Sequence, residues 1–341
     1  MGARRADQAA VVGIRHVAER AGVSVGTVSN ALNHPEKVSP ASLTRIQEAI
    51  AALGYVRNDA ARMLRAGHSQ TIGLVVLDVR NPFFTDLARG AEDEAVRHGM
   101  SVILGNSAED SAREAGYLDL FEEQRVRGVL ISPYGSIDER LQLLRRRGIP
   151  AVLVDRASSD RRFSSVSVDD VAGGRLAATH LLEGGRRRIA FIGGSVGIRQ
   201  IADRLTGARA AIAAVADATL EVLPTPALTV TEGRRAGREL LAAGRLPDAV
   251  LAANDLVALG VLEALVVEGS VRVPGDVALV GYDDIDFASA AMVPLSSVRQ
   301  PTELIGRTAV GILLEEAAAA EPRPRQVVFQ PELVVRASSG G

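Results

Sequence analysis

Nine side chains in this chain of 341 residues could together hold a polyhydroxylated ligand: Asn81, Phe83 and Phe84 in NPFF, Asp155 and Arg156 in VDR, Arg204 in RLTG, Asn254 in NDLVALG, Asp283 in GYDD and Gln300 in RQP. Carboxylates accept hydrogen bonds from vicinal hydroxyls, arginine and amide groups donate them, and an aromatic face covers the apolar side of a pyranose ring. These are the parts of a sugar clamp. Each residue also has an ordinary structural reading, with Asp155 and Asp283 as turn or cap residues, Phe83 or Phe84 in the core, and Arg204 in an ion pair between lobes. Asp255, next to Asn254, reads as the cap of a helix that starts at Leu256.

Catalytic chemistry has little to work with. The chain has no cysteine, five histidines of which none are spaced i, i+4, and Lys37 as its only lysine. Thiol nucleophiles, thiolate metal sites and a zinc centre are therefore not expected, nor is any cofactor. Gly193, Gly194 and Gly197 follow a G-G-x-x-G spacing rather than G-x-G-x-x-G, and there is no G-x-x-x-x-G-K-[ST] or H-E-x-x-H. The enzyme reading, a cytosolic sugar-active or nucleotide-cofactor enzyme on an α/β body, ranks second. The pairs Asp169–Asp170 and Asp283–Asp284 read as strand-end turns, and Arg145–Arg147 and Arg186–Arg188 as solvated loop charges. No apolar run of about 18 residues occurs and the first residues lack an export signal, so a cytoplasmic location is expected.

The clamp residues need strands to carry them. From Thr71 onward, short apolar runs alternate with helical stretches: 71–79, 100–106, 128–133, 150–155, 187–194, 248–254 and 276–284. Such alternation implies parallel sheets with helices on both faces, and open α/β sheets bind ligands outside the carboxyl ends of their strands. About 265 residues are more than one sheet usually serves. Two lobes are expected.

The first 67 residues differ from the rest. They carry a net charge of +4, leaving −6 on the remainder, and a basic head on an acidic body points to nucleic acid or a membrane surface as the head's partner. Ile14, Val17, Ala18 and Ala21 form one helical stripe that stops at Gly22. Ser24 caps a second helix with Val28, Ala31 and Leu32 inward, and Val23 plugs the space between the two. Ser39 and Pro40 open a third helix, which runs through Leu43, Ile46, Ile50 and Leu53 and ends at Gly54.

The pattern V-A-x-x-A-G-V-S-x-x-T-V-S-x-x-L-N, from Val17 to Asn33, closely resembles the LacI family of bacterial transcription regulators. The resemblance implies an N-terminal three-helix helix-turn-helix DNA-binding domain over 1–57, a hinge helix and linker over 58–70, and over 71–341 a two-lobed, doubly wound parallel-sheet body like a type I periplasmic binding protein. It places Val25, Gly26 and Asn30 at base-reading positions in the major groove, while Ser24, Thr27, Ser29 and Asn33 hold phosphates or act as caps. The residue types agree, since asparagine can bond adenine at two points and valine can pack on a thymine methyl. In the segment NDAARMLR, Asn58 would cap the hinge helix, and Leu64, beside the small Ala61, would wedge into a base step and kink the duplex. Arg57 stands where many members have proline.

The family resemblance further implies crossovers between lobes near Val168, Ser297 and Val327. It also implies a homodimer on a pseudo-palindromic operator, repressing a carbohydrate-utilisation operon under control of a small-molecule effector. The nine clamp residues match those of ribose-binding periplasmic proteins in class, which makes a pentose or related aldose the expected effector. No leucine heptad follows Glu321, so a C-terminal tetramerisation helix is not expected.

Overall fold

A computed structural model describes residues 12–55, 69–158 and 160–340. The chain divides into two units, Met1–Ser69 and Gln70–Gly341.

In the first unit, α1 (Ile14–Ala21) ends at Gly22, whose φ of 65° is the left-handed conformation that glycine adopts without a Cβ penalty. Helix α2 (Val25–Asn33) starts at Ser24, whose hydroxyl accepts from Thr27 N at 3.1 Å. Helix α3 (Pro40–Leu53) starts from Ser39 with proline in its first turn and ends at Gly54, φ 59°. Val17, Ala18, Ala21, Val28, Ile46 and Ala49 make one small buried core. Arg57, Asn58, Ala61 and Leu64 lie outside the described residues.

The second unit holds two six-stranded sheets. The first lobe contains β1 (Thr71–Val76), α4 (Pro82–Arg97), β2 (Ser101–Asn106), α5 (Ser111–Glu123), β3 (Gly128–Ile131), α6 (Asp138–Arg146), β4 (Ala151–Val154) and β5 (Ser164–Val168). The chain then enters the second lobe with α7 (Asp170–Glu183), β6 (Arg188–Gly193), α8 (Arg199–Ala213), β7 (Thr219–Pro224), α9 (Val230–Ala242) and β8 (Ala249–Ala252). This lobe continues through α10 (Asp255–Glu263), β9 (Ala278–Asp283), α11 (Asp286–Ser289) and β10 (Ser296–Arg299). Helix α12 (Thr302–Ala318) and β11 (Gln326–Phe329) return to the first lobe, and β12 (Glu332–Val334) closes the second.

The strand orders are β2-β1-β3-β4-β5-β11 and β7-β6-β8-β9-β10-β12, parallel throughout except for β12, which runs antiparallel to β10. Alternate residues feed opposite faces. In the first lobe Ile72, Leu74, Leu130 and Val152 join one core, and Val75, Val129, Ile131 and Leu153 meet Leu118, Phe121, Leu141 and Leu144 in another. Three passages join the lobes, at 168–170, 299–302 and 329–332, each just past a position expected from sequence. The seven expected strands are present, though several are shorter than their apolar runs. Strands β5, β7, β10, β11 and β12 are additional. β5 (SSVSV) and β10 (SSVR) are rich in serine, and β12 has only three residues, so none of these three gives a strong apolar run.

Candidate functional site

The carboxyl ends of the two sheets meet across a cleft of about 480 Å³, lined by Leu77, Asp78, Asn81, Phe83, Phe84, Glu109, Asp155, Ile198, Gln200, Ile201, Arg204, Leu228, Asn254 and Asp283. Seven of the nine clamp residues line it.

Arg204 lies at its centre, on α8, and is 5% exposed. Its Nε donates to Asp170 Oδ1 at 2.7 Å, its Nη1 donates to Ala253 O at 2.7 Å and lies 3.7 Å from Asp283 Oδ1, and the guanidinium stacks 3.6 Å from the centre of the Tyr282 ring. The Asp170 pair lies within the second lobe. Burial works against the charged guanidinium, but Asp170, Tyr282, Asp283 and Asp155 outweigh it and raise the pKa. The position of α8 depends on glycine: a Cβ on Gly174 would stand 1.9 Å from the Arg204 carbonyl oxygen. Helices α7 and α8 therefore touch backbone to backbone.

Two amide–carboxylate bonds cross between the lobes. Asn81 caps α4 through Oδ1 and donates from Nδ2 to Asp283 Oδ2 at 3.0 Å, while Gln200 Nε2 donates to Asp155 Oδ2 at 2.7 Å. Asp155 (φ 61°) and Asp283 (φ 102°) both adopt left-handed backbone, a strained conformation for a non-glycine residue that clusters at functional sites. Burial, joined by the charge of Asp170, pushes the Asp155 carboxyl well above the usual range. Burial also raises Asp170 and Asp283, partly offset by Arg204. Phe83 and Phe84 pack edge to face with ring centres 5.0 Å apart, and both are buried. Asn254 lines the cleft and also caps α10, accepting from Val257 N at 2.9 Å.

Two clamp residues lie elsewhere. The left-handed turn at Asp155 redirects the chain, and the Arg156 guanidinium donates to Gly135 O at 2.6 Å. Gln300 supports the cleft from behind, with Nε2 donating to Asp283 Oδ1 at 2.8 Å. Asp255 is not the helix cap. That role falls to Asn254, and the fully buried Asp255 carboxylate accepts from Ile285 N and Ser297 Oγ, holding α10 against β9 and β10. Gln200 went unread in the sequence, although it stands one helical turn before Arg204 and so shares its face. Its Oε1 is buried and has no hydrogen-bond partner among the described residues. No three His, Asp or Glu side chains among the described residues form a metal-holding group.

On α2, Val25 is 41% exposed, and Gly26 and Asn30 are exposed on the same helix. Ser24 and Thr27 bond each other through their hydroxyls at 2.9 Å, and Asn33 Nδ2 donates to Ser29 O at 2.7 Å. The outward side of the helix thus presents one apolar side chain, one bare backbone position and one amide.

Residues 13–58 match the family described as bacterial regulatory proteins, lacI family, and residues 178–339 match a periplasmic binding protein-like domain. The chain is 36% identical to the ribose operon repressor of Bacillus subtilis (strain 168) over 302 residues, covering 88% of this chain and 90% of that protein. It is 37% identical to the HTH-type transcriptional regulator CelR of Thermobifida fusca over 332 residues, covering 94% and 96%. Among solved structures it resembles a transcriptional regulator CelR–cellobiose complex (TM-score 0.71, 34% identity, 96% and 99% coverage). It also resembles the lac repressor dimer bound to operator and an anti-inducer (TM-score 0.81, 26% identity, 96% and 98% coverage). With a helix-turn-helix head, a two-lobed binding body and relatives of this kind over nearly its whole length, the chain belongs to the lacI family of bacterial regulatory proteins, as a DNA-binding regulator of transcription and not an enzyme.

Proposed function

We propose that this regulator represses a carbohydrate-utilisation operon in the cytoplasm, binding a pseudo-palindromic operator as a homodimer and releasing it when a monosaccharide, a pentose or related aldose, occupies the cleft. The observation that carries this reading is the arrangement around Arg204. Carboxylates from both lobes face one guanidinium, Gln200 presents a bare acceptor, and Phe83 and Phe84 supply an apolar wall. Vicinal hydroxyls can satisfy each of these groups at once. The ribose operon repressor and the CelR–cellobiose complex, both similar along most of this chain, support a saccharide as the ligand class.

In this reading Asn81, Asp155, Gln200, Arg204, Asn254 and Asp283 bind the sugar's hydroxyls, Phe83 and Phe84 its ring face, and Gln300 orients Asp283. Arg156 sits outside the contact shell. Val25, Gly26 and Asn30 read base edges, with Ser24, Thr27, Ser29 and Asn33 on phosphates or as caps. Arg57, Asn58, Ala61 and Leu64 form the minor-groove hinge of each subunit. Symmetry of the dimer dictates symmetry of the operator. A coupling of about 1–3 kcal/mol between cleft and head changes DNA affinity from several-fold to about a hundredfold.

A thermal-shift screen of monosaccharides against the full chain tests the ligand class, because a ligand at about 100 times its Kd adds about 2.7 kcal/mol. The expected hit also lowers affinity for operator duplex. A screen in which no monosaccharide raises the melting temperature refutes the sugar reading, and a hit that tightens operator binding refutes induction.

A further inference from the structure

The first lobe carries an unusual charge on one side of its sheet. All six of its strands are parallel, so the segments entering them share one edge, opposite the cleft. Those segments, the last two residues of each helix with the connection after it and the four residues before β5, are 96–100, 122–127, 145–150, 160–163 and 317–325. They hold ten arginines against four acids.

Cations at helix C-termini complement the helix dipole, and that ordinary cause applies equally to the second lobe. The corresponding segments there, 182–187, 212–218, 241–248, 267–277 and 288–295, hold four arginines against five acids. Helix-end preference therefore does not account for the excess.

Part of the excess is engaged internally. Arg97 pairs with Glu94, Arg147 with Glu122, Arg162 with Asp160 and Arg325 with Glu315, while Arg127 and Arg145 donate to backbone carbonyls. Arg125, Arg146, Arg161 and Arg323 are exposed and make no ion pair among the described residues. The chain leading to the head joins the body on this same edge, at Gln70, whose carbonyl accepts from Ser101 N at 3.0 Å. Residues 56–69 can span at most about 50 Å.

We infer that this arginine edge is a second DNA-contacting surface, binding the phosphate backbone of duplex that flanks the sequence read by α2. Six strands at about 4.8 Å spacing make an edge about 24 Å across, the length of about seven base pairs. Arginine forks suit phosphate oxygens without regard to base sequence. The contact adds affinity and salt dependence, not specificity.

The test uses the full chain and random-sequence duplexes of about 16 and about 40 bp, with binding followed by fluorescence anisotropy across a salt series. The variant Arg125→Gln/Arg146→Gln/Arg161→Gln/Arg323→Gln is compared with the charge-matched Arg113→Gln/Arg175→Gln/Arg209→Gln/Arg245→Gln. On the long duplex the edge variant should lose about 3–4 per bound subunit from the slope of log K against log[salt], at about 0.9 per phosphate contact. The control variant, and both variants on the short duplex, should keep the wild-type slope. If the fourfold variant fails to fold, Arg146→Gln and Arg323→Gln singly should each remove about one per bound subunit from the slope. A wild-type slope for the edge variant on the long duplex, or an equal loss in the control, overturns the inference.

Discussion

Replacing Arg204 by methionine keeps an unbranched stem in the apolar part of the site and removes the guanidinium with its charge and donors. In the protein this guanidinium sits against Asp170 at 2.7 Å, Asp283 at 3.7 Å and the Tyr282 face at 3.6 Å, with the Asp155 carboxyl also in its field. Breaking a buried ion pair from one side costs about 3–5 kcal/mol, because the partner stays buried without compensation. For a unit of this size that corresponds to a fall of about 5–9 °C in its melting transition. The cost should depend on pH. Burial already raises Asp170, Asp283 and Asp155, and without the arginine they rise further, so acid neutralises them and removes most of the penalty. Calorimetry of Arg204→Met and the wild type at about pH 5 and about pH 7.5 should show a large gap at the higher pH and a small one at the lower. Equal gaps would refute the view that Arg204 acts as the counter-charge of a buried acidic cluster.

Asp155→Asn should flatten the pH dependence of the body's stability. A carboxyl raised in the native state binds its proton longer there than in the unfolded chain, so wild-type stability falls as pH climbs from the unfolded value of about 3.9 through the raised native one; a melting-temperature series with and without the substitution checks this. Gly174→Ala should separate α7 from α8, destabilise the body by about 1–3 kcal/mol and weaken ligand binding while DNA affinity without ligand holds, as calorimetry and anisotropy would show. Asn30→Ala should cost about 1–3 kcal/mol in operator affinity and relax selection at one base pair, read by competition with operator variants carrying single substitutions.

The head was legible nearly to the residue because its punctuation is local: Gly22 and Gly54 at left-handed stops, Ser24 and Ser39 at caps. The body's main strands were legible through their apolar runs, whereas β5 was not, because its serines are buried without an apolar signature. In the cleft the strand-end rule found Asp155, Asn254 and Asp283, since strand direction alone fixes where those residues emerge. It could not find Gln200, which a helix delivers from the other lobe, and it does not register that Arg156, one residue past the positive φ of Asp155, donates to Gly135 O beside the cleft lining. Long-range partners such as the Gly281 approach to Asp255 depend on packing that no local pattern encodes.

The three passages between lobes mean that neither lobe is contiguous in sequence. The first lobe lacks α12 and its edge strand β11, and the second lacks its edge strand β12, until nearly the last residues of the chain have been made. A ribosome making this protein thus holds two unfinished sheets with open edges for most of synthesis, and pairing of this sequence separation is slow and exposed to aggregation. Nascent chains stalled before residue 326 should depend on chaperones, while the head, whose described core lies wholly between Ile14 and Tyr55, can fold as soon as it leaves the tunnel.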